Sequence, residues 1–262
     1  MKRLLQFLGI DKQAPEDLKT TENHSPSNKP QYKRVDEEEF FLPIKGLDIE
    51  PYLAIEDLQG IHHISRYHWA KKVLQSMEPR SIIDIACGAG YGSYILAKEF
   101  SDSQVKGVDY DSRAINHAVN TYRSNNLRYR HGDMVLWEVL NGNGQTLGKH
   151  DVIISFDTIE HINHPEIALL RIAQNLEDNG VLILSTPISF PKTDLSPAWT
   201  AHKIEYGAAD LTNLLKRYFH EVLLPEEGNL PNQDFWTEYI NKDKQRYLTI
   251  SNPIVCKNPI RV

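Results

Sequence analysis

The sequence predicts an α/β fold: a seven-stranded, mostly parallel sheet with helices on both faces and an antiparallel strand pair at its C-terminal end. Two observations predict it. Short apolar runs recur along the chain, SIIDIA at 81–86, DVIISF at 151–156 and VLILST at 181–186. Runs of this length, apolar at successive positions, suit strands buried on both faces. Segments with apolar residues at helical spacing separate them. Such alternation implies right-handed crossovers and a sheet covered on both sides.

In chain order, Ile64, Tyr67, Ala70 and Leu74 share one helical face, and Pro79 follows that helix. The first strand, Ser81–Ala86, runs into a glycine cluster, and Tyr91–Phe100 suits a helix. Gln104–Val108 is the second strand, closed by Asp109. Asp111 is placed as the N-cap of a helix carrying Ile115, Ala118, Val119 and Tyr122. Leu127–His131 is the third strand, Gly142, Gly144 and Gly148 mark a loop, and Asp151–Phe156 is the fourth strand. Pro165 opens a helix with the stripe Leu169, Ile172 and Leu176, which Gly180 is expected to end. Val181–Thr186 is the fifth strand, stopped by Pro187. Leu211, Leu214, Leu215 and Tyr218 make one more helical face. His220–Leu224 and Tyr247–Cys256 are the last two strands, and with no helix-length pattern between them they are expected to pair antiparallel.

Ahead of this region, Asp11–Glu39 has few apolar residues and cannot bury enough surface to offset its ordering entropy. The organisation expected is a flexible N-terminal arm, 1–44, followed by a single domain, 45–262. Met1–Ile10 is short, basic and amphipathic; it reads as a fraying terminal turn or as a weak peripheral contact with an anionic membrane surface or a partner. The whole chain has 262 residues, 40% hydrophobic and 24% charged, enough for a real core. No apolar run approaches the ~20 residues that span a bilayer. A net charge of −6 argues against a nucleic-acid partner bound by broad phosphate neutralisation. Two cysteines, Cys87 and Cys256, support neither a disulfide framework nor a cysteine-based zinc site. The N-terminal residues lack the pattern of a secretory signal, so a cytoplasmic location is expected.

In open α/β sheets ligands bind beyond the carboxyl ends of the strands, and the chemistry-bearing residues fall there. Asp84 lies in the first strand, with Gly88, Gly90 and Gly92 at the turn after it. Asp109 ends the second strand 25 residues later, and Gly132-Asp133 follows the third after 24 more. Phe156-Asp157 ends the fourth. A glycine turn admits close approach of a ligand to the backbone, and an acid at the second strand end suits two ribose hydroxyls. A dinucleotide would satisfy both, as in an NAD(P)-dependent oxidoreductase. The spacing, however, is G-x-G-x-G, and Asp84 puts a carboxylate where a pyrophosphate would pass. Two like charges ~4 Å apart at an effective dielectric of ~20 repel by about 4 kcal/mol before screening. A ligand with a cationic end fits better.

The segment Asp84-Ile-Ala-Cys-Gly-Ala-Gly-Tyr-Gly92 resembles the first motif of class I S-adenosylmethionine-dependent methyltransferases. Val108-Asp109-Tyr-Asp111, Gly132-Asp133, Phe156-Asp-Thr-Ile-Glu-His161 and Val181-Leu-Ile-Leu-Ser-Thr-Pro187 are similar to the motifs that follow, in order and spacing. With Arg66-Tyr67 in the preceding helix, the chain looks like small-molecule methyltransferases of bacterial polysaccharide and glycan biosynthesis. The resemblance covers about residues 60–224 and implies a Rossmann-like fold, S-adenosylmethionine as cofactor, and methyl transfer to an oxygen or nitrogen of a small molecule. It implies that Gly88 and Gly90 pass the methionine portion, Asp84 meets its ammonium directly or through water, and Arg66 meets its carboxylate. Asp109 would hold the ribose hydroxyls, Tyr110 would lie along the adenine, and Asp133 would accept from the adenine amino group with Met134 packed nearby.

Other readings stand beside these. Asp157-Thr-Ile-Glu160 is also a capping box, so Asp157 is either a helix cap or a residue facing the acceptor. His161 is either a general base or a helix-surface histidine. His202 falls in the acceptor-side region, Cys87 reads as a small apolar filler, and His62, His63 and His164 read as surface or helix-start residues. No His, Asp and Glu set has metal-ligand spacing, so no metal is expected. A non-catalytic, cofactor-binding module recruiting a protein partner remains the third alternative. The Pro187–Thr200 segment and the 229–245 insert match no motif.

Overall fold

The computed structural model describes residues 40–189, 192–197, 201–223 and 253–261. The Met1–Ile10 segment, the arm as far as residue 39 and the 229–245 insert lie outside the described residues.

The main sheet has eight strands. β1 (Ser81–Ile85), β2 (Gln104–Asp109), β3 (Leu127–Asp133), β5 (His150–Phe156) and β6 (Leu176–Ser185) form its parallel centre. The spatial order is β4-β3-β2-β1-β5-β6-β10-β9, where β4 is Glu138–Val139, β9 is Phe219–Leu223 and β10 is Ile254–Pro259. β10 runs antiparallel to both β6 and β9, so the expected antiparallel pair is formed. The eighth strand, β4, was not expected. It is a two-residue edge piece paired antiparallel to β3 and followed by a turn in which Gly142 N donates to Val139 O. Two residues carry no periodicity signal. A second, two-stranded sheet pairs β7 (Ile188–Ser189) with β8 (Tyr206–Gly207).

The third strand runs two residues further than expected, to Asp133, and the helix expected to carry Tyr218 ends at Leu215; two other boundaries differ more. The helix opened by Pro165 ends at Asn175, and Leu176 is already extended. His150 pairs with Leu176 and Val152 with Val181, so an irregularity in the ladder absorbs residues 177–180. The last strand starts at Ile254 and runs on to Pro259; residues 247–252 lie outside the described residues.

Alternation along the central strands sends successive side chains to opposite faces. Ile82, Val152, Ile154 and Ile183 pack under α2 (Leu58–Leu74) and α3 (Tyr91–Glu99) with Ile64, Leu74 and Leu96. Ile83, Ile153, Leu182 and Leu184 pack on the other face with Leu169, Ile172, Leu211 and Leu215, from α5 (Pro165–Asn175) and α6 (Ala208–Leu215). The remaining helices are α1 (Glu50–Ala54) and α4 (Ser112–Thr121). Asp57 caps α2 by accepting from Gly60 N at 3.1 Å, and Asp111 caps α4 as expected, accepting from Arg113 N at 2.8 Å. Among the described residues no helix is long and apolar enough to cross a membrane.

Gly92, in the first turn of α3, abuts α2. A Cβ at this position would fall inside the ring of Tyr67. Gly92→Ala is therefore expected to displace Tyr67 and destabilise the chain by about 1–3 kcal/mol, the usual range for overpacking. Thermal unfolding should show the loss as a midpoint about 3–10 °C lower; an unchanged midpoint would contradict this packing.

Candidate active site

The carboxyl ends of β3, β2, β1 and β5 lie side by side in that order and line a cleft of about 1450 Å³. That exceeds the ~300–1,000 Å³ of an ordinary single-ligand pocket, so two ligands can share it. Met134 and Asp133 line one end, from β3 and the loop after it; Asp109 and Tyr110 follow from β2, then Gly88 from the turn after β1. Phe156, Asp157 and His161 line the other end, with Ala201 and Lys203.

The first turn is built around backbone strain and close approach. Gly90 has φ of +86° and a Cβ there would strike Ala118, so only glycine is tolerated. Asp109 ties this turn to β2: its Oδ2 accepts from Gly88 N at 2.7 Å and its Oδ1 from Asp111 N at 2.8 Å. Each carboxylate oxygen accepts more than one bond, so capacity remains for hydroxyls. Burial pushes the Asp109 carboxyl up, and those two amide bonds oppose the shift. Asp133 accepts from Val135 N at 2.7 Å and Leu136 N at 3.1 Å, both through Oδ1. Tyr110 stands at the rim, 67% exposed, while Met134 is buried.

Of the two expectations for Asp84, contact with the ammonium directly or through water, its position does not favour the direct one. It is fully buried and is not among the residues lining the cleft. Tyr67 donates to both of its oxygens at 3.2 and 3.3 Å, and Ser93 Oγ donates to Oδ2 at 2.7 Å. Tyr67 itself lines the cleft, so the carboxylate sits one side chain behind the wall. Burial pushes its pKa up to about 7 against the help of these two donors.

At the other end the capping box is not formed. Asp157 has φ of +46° and precedes a three-residue 3₁₀ turn, Ile159–His161, whose N-cap Thr158 makes no side-chain cap. The Asp157 carboxylate is instead paired with Arg66 Nη1 at 2.5 Å and accepts from His62 Nε2 at 2.9 Å. Burial opposes its charge, but the Arg66 guanidinium and His62 hold the carboxyl well below the usual range. Arg66 also donates to Ser185 Oγ at 3.1 Å and to His63 Nδ1 at 3.0 Å. It lines the cleft, yet its charge is engaged with Asp157 rather than held for a ligand carboxylate.

His62 and His63 are therefore neither surface nor mere helix-start residues. His63 stacks on Phe41 at 4.5 Å, and burial lowers the pKa of both imidazoles. Phe40 and Phe41, at the end of the expected arm, line the cleft. Cys87 is buried, as its filler reading requires, although it touches the cleft wall. Sequence reasoning missed Glu160. It is fully buried, its Oε2 accepts from Thr186 Oγ1 at 2.8 Å, and burial, with the Asp157 charge adding, pushes its carboxyl well above the usual range. His161 binds Ala201 O through Nδ1 at 3.1 Å, and its ring lies 4.8 Å from that of His202. Burial lowers the His161 pKa against that bond. No local pattern set Glu160 apart, because the apparent capping box accounted for it.

Residues 61–222 match the methyltransferase domain family. The chain belongs to that family. A protein of Mycolicibacterium smegmatis named "probable S-adenosylmethionine-dependent methyltransferase" is 28% identical over 183 residues, which cover 69% of this chain and 66% of that one. A protein of Mycobacterium tuberculosis with the same description is 30% identical over 172 residues, 62% of this chain and 57% of that one. The chain thus spans somewhat over half to two thirds of the length of these curated relatives. Among solved structures, the N-methyltransferase NodS of Bradyrhizobium japonicum, in complex with S-adenosylhomocysteine, shares the fold with a TM-score of 0.52 at 15% identity, covering 76% of this chain and 87% of that one. The cofactor class expected from the first motif of this methyltransferase domain is the one its relatives' names carry.

Asp84 gives the domain a pH signature. Its folded pKa of about 7 lies above the ~3.9 of an unfolded aspartate, so the native state holds the extra proton between these values. Its contribution to stability is full below pH ~4 and is lost as pH rises through about 7. Urea unfolding across pH 4–8 should show Asp84→Asn gaining on the wild type as pH rises, by at most about 4 kcal/mol. A difference that stays flat, or runs the other way, would contradict the assignment.

Proposed function

We propose that the chain is a cytoplasmic enzyme that moves the methyl group of S-adenosylmethionine onto an oxygen or nitrogen of a small molecule. A sugar or glycan precursor is the acceptor class to test first. The observation that carries this reading is the spatial order of the four strand ends. Asp133, Asp109, the Gly88 turn and Asp157 follow one another across a cleft with room for two ligands.

In this reading Asp133 accepts from the adenine amino group, Met134 packs on the ring, and Tyr110 lies along its exposed face. Asp109 takes the ribose hydroxyls, already oriented by Gly88 N. Gly88 and Gly90 let the methionine portion pass, and Asp84 attracts its ammonium from behind Tyr67. Arg66 is assigned to Asp157 and not to the ligand's carboxylate. Asp157, locked by Arg66 and His62, is a positioning residue for the acceptor end, where His161 borders the space left for the acceptor.

Methyl transfer is a displacement. The acceptor lone pair forms the new bond to the methyl carbon and the carbon–sulfur bond breaks with its electron pair staying on sulfur; a hydroxyl acceptor passes its proton to a base such as His161 or to water, and an amine acceptor attacks in its neutral form and releases a proton to water afterwards. The cofactor supplies the activated carbon, and the walls supply alignment, which is worth several kcal/mol of barrier. NAD(P) is disfavoured because its pyrophosphate would lie against the Asp84 side of the turn.

Isothermal titration is expected to show binding of S-adenosylhomocysteine and none of NADH. Asp109→Ala should weaken S-adenosylhomocysteine about 10–100-fold, the loss of hydrogen bonds to a charged acceptor. Because an ammonium favours the ionised form of Asp84, wild-type affinity should rise with pH through about 7, and the rise should vanish in Asp84→Asn. Unchanged affinity in both Asp109→Ala and Asp84→Ala would overturn the site. Mass spectrometry of metabolite pools incubated with methyl-labelled cofactor identifies the acceptor; cofactor binding with no labelled product from any pool would favour the non-catalytic module.

A further inference from the structure

We propose that Glu160, His161 and His202 form a binding site for one divalent transition-metal cation at the acceptor end of the cleft. One atom from each residue that can ligate a metal lies within 4.8 Å of the other two. Nothing in the sequence spacing announces this, because His202 is 41 residues beyond His161. Backbone pairing creates the cluster: Lys203 N donates to Glu160 O at 2.6 Å and Ile204 N at 3.4 Å, fixing the 201–204 segment against the 3₁₀ turn.

Two independent features point to a cation. The first is Glu160. It is fully buried, Thr186 Oγ1 donates to its Oε2, and its Oε1 has no hydrogen-bond partner among the described residues. A carboxylate oxygen in that state is costly, and a metal ion supplies what it lacks. The second is the arrangement behind the two imidazoles. His161 Nδ1 is tied to the Ala201 carbonyl at 3.1 Å and His202 Nδ1 to Glu205 Oε1 at 2.7 Å. A backbone carbonyl and a carboxylate are the two partners that usually orient metal-binding histidines through the nitrogen away from the ion. Nε2 is then the nitrogen each ring would present.

Two imidazoles and one carboxylate suit Zn²⁺, Co²⁺, Fe²⁺ or Mn²⁺ better than the oxygen-seeking Mg²⁺ or Ca²⁺. Ligand atoms bound at ~2.1 Å lie at most ~4.2 Å apart, so atoms now up to 4.8 Å apart would draw closer on binding. Three protein ligands leave positions for exogenous oxygen, and His161 and the neighbouring Ala201 and Lys203 border the cleft. If the methyl-transfer reading holds, the acceptor oxygen is what would occupy such a position; metal binding itself does not depend on that reading.

The test uses the full chain freed of metal with a chelator and titrated with Co²⁺, followed by visible absorption and calorimetry, with Zn²⁺ competition. The expected result is one Co²⁺ per chain, displaced by Zn²⁺. Glu205→Gln, which touches no ion, should weaken it about 10–100-fold, the usual effect of losing an outer hydrogen-bond partner. His161→Ala and Glu160→Gln should weaken it at least as much. S-adenosylhomocysteine affinity and thermal midpoint, measured on each variant, separate loss of the site from loss of the fold. Absence of saturable Co²⁺ and Zn²⁺ binding by wild-type chain that still binds S-adenosylhomocysteine would overturn the metal site and leave the cofactor reading standing. Metal binding unaffected by both His161→Ala and Glu205→Gln would overturn it as well, by placing the ion elsewhere.

Discussion

A single buried carboxylate, Asp84, sets the constraint on which the cofactor half of the cleft depends. Its neighbours on the strand are apolar, so it must find donors within reach, and it finds two hydroxyls, from Tyr67 on α2 and Ser93 on α3. Both have consequences for the backbone. Tyr67 occupies the volume a side chain at position 92 would need, and Ser93 Oγ lies 2.6 Å from where a Cβ at Gly107 would stand. Glycines in two different elements are therefore required by the side chains that hold one acid. The glycine run that reads as a ligand-binding signature is partly a packing requirement from below. The electrostatic logic that favoured a cationic ligand survives in softer form, because a carboxyl titrating near neutrality, behind a tyrosine, offers less than a full fixed charge at contact.

The acceptor half follows a different rule. Arg66 and Asp157 are paired at 2.5 Å, with the guanidinium buried and the carboxylate partly open to the cleft. Removing either would strand the other, whereas together they hold the positive φ of Asp157 and the direction of the turn that follows. Glu160 and His161 belong to that turn. A positive φ, the Asp157 end of an ion pair and a Glu160 oxygen with no partner among the described residues thus fall within five residues, the kind of concentration that marks a site rather than a scaffold.

The fold was largely legible because buried parallel strands advertise themselves as apolar runs, and every central strand was found from residues such as Ile82-Ile83 and Val152–Ile154. What escaped was what periodicity does not encode. The two-residue edge strand at Glu138 is too short to have a period, and Leu176 fits the apolar stripe of a helix although it is extended, because its pairing with His150 outweighs local pattern. Of the residues that line the cleft, those at strand ends were legible from spacing: Asp109, Asp133 and Gly88. Arg66, His62 and Glu160 were misread or missed because their partners are long-range, Arg66 to Asp157 and Glu160 to Thr186. A capping-box pattern accounted locally for both acids and hid that dependence. Phe41 falls within the 1–44 arm but in the Phe40-Phe41-Leu42 stretch expected to be the first to dock, and its ring is buried against His63.

The two halves are joined by one helix. Arg66 and Tyr67 are consecutive residues of α2, so their side chains leave the axis about 100° apart and reach the ends of two adjacent strands, β5 and β1. The same helix presents His63, which accepts from Arg66 and stacks on Phe41. A shift of α2 along its axis would loosen the donor on Asp84 and the cation on Asp157 together. The cofactor wall and the acceptor wall are thus mechanically one object, and Asp57, the N-cap that fixes where α2 begins, bears on both although it touches neither.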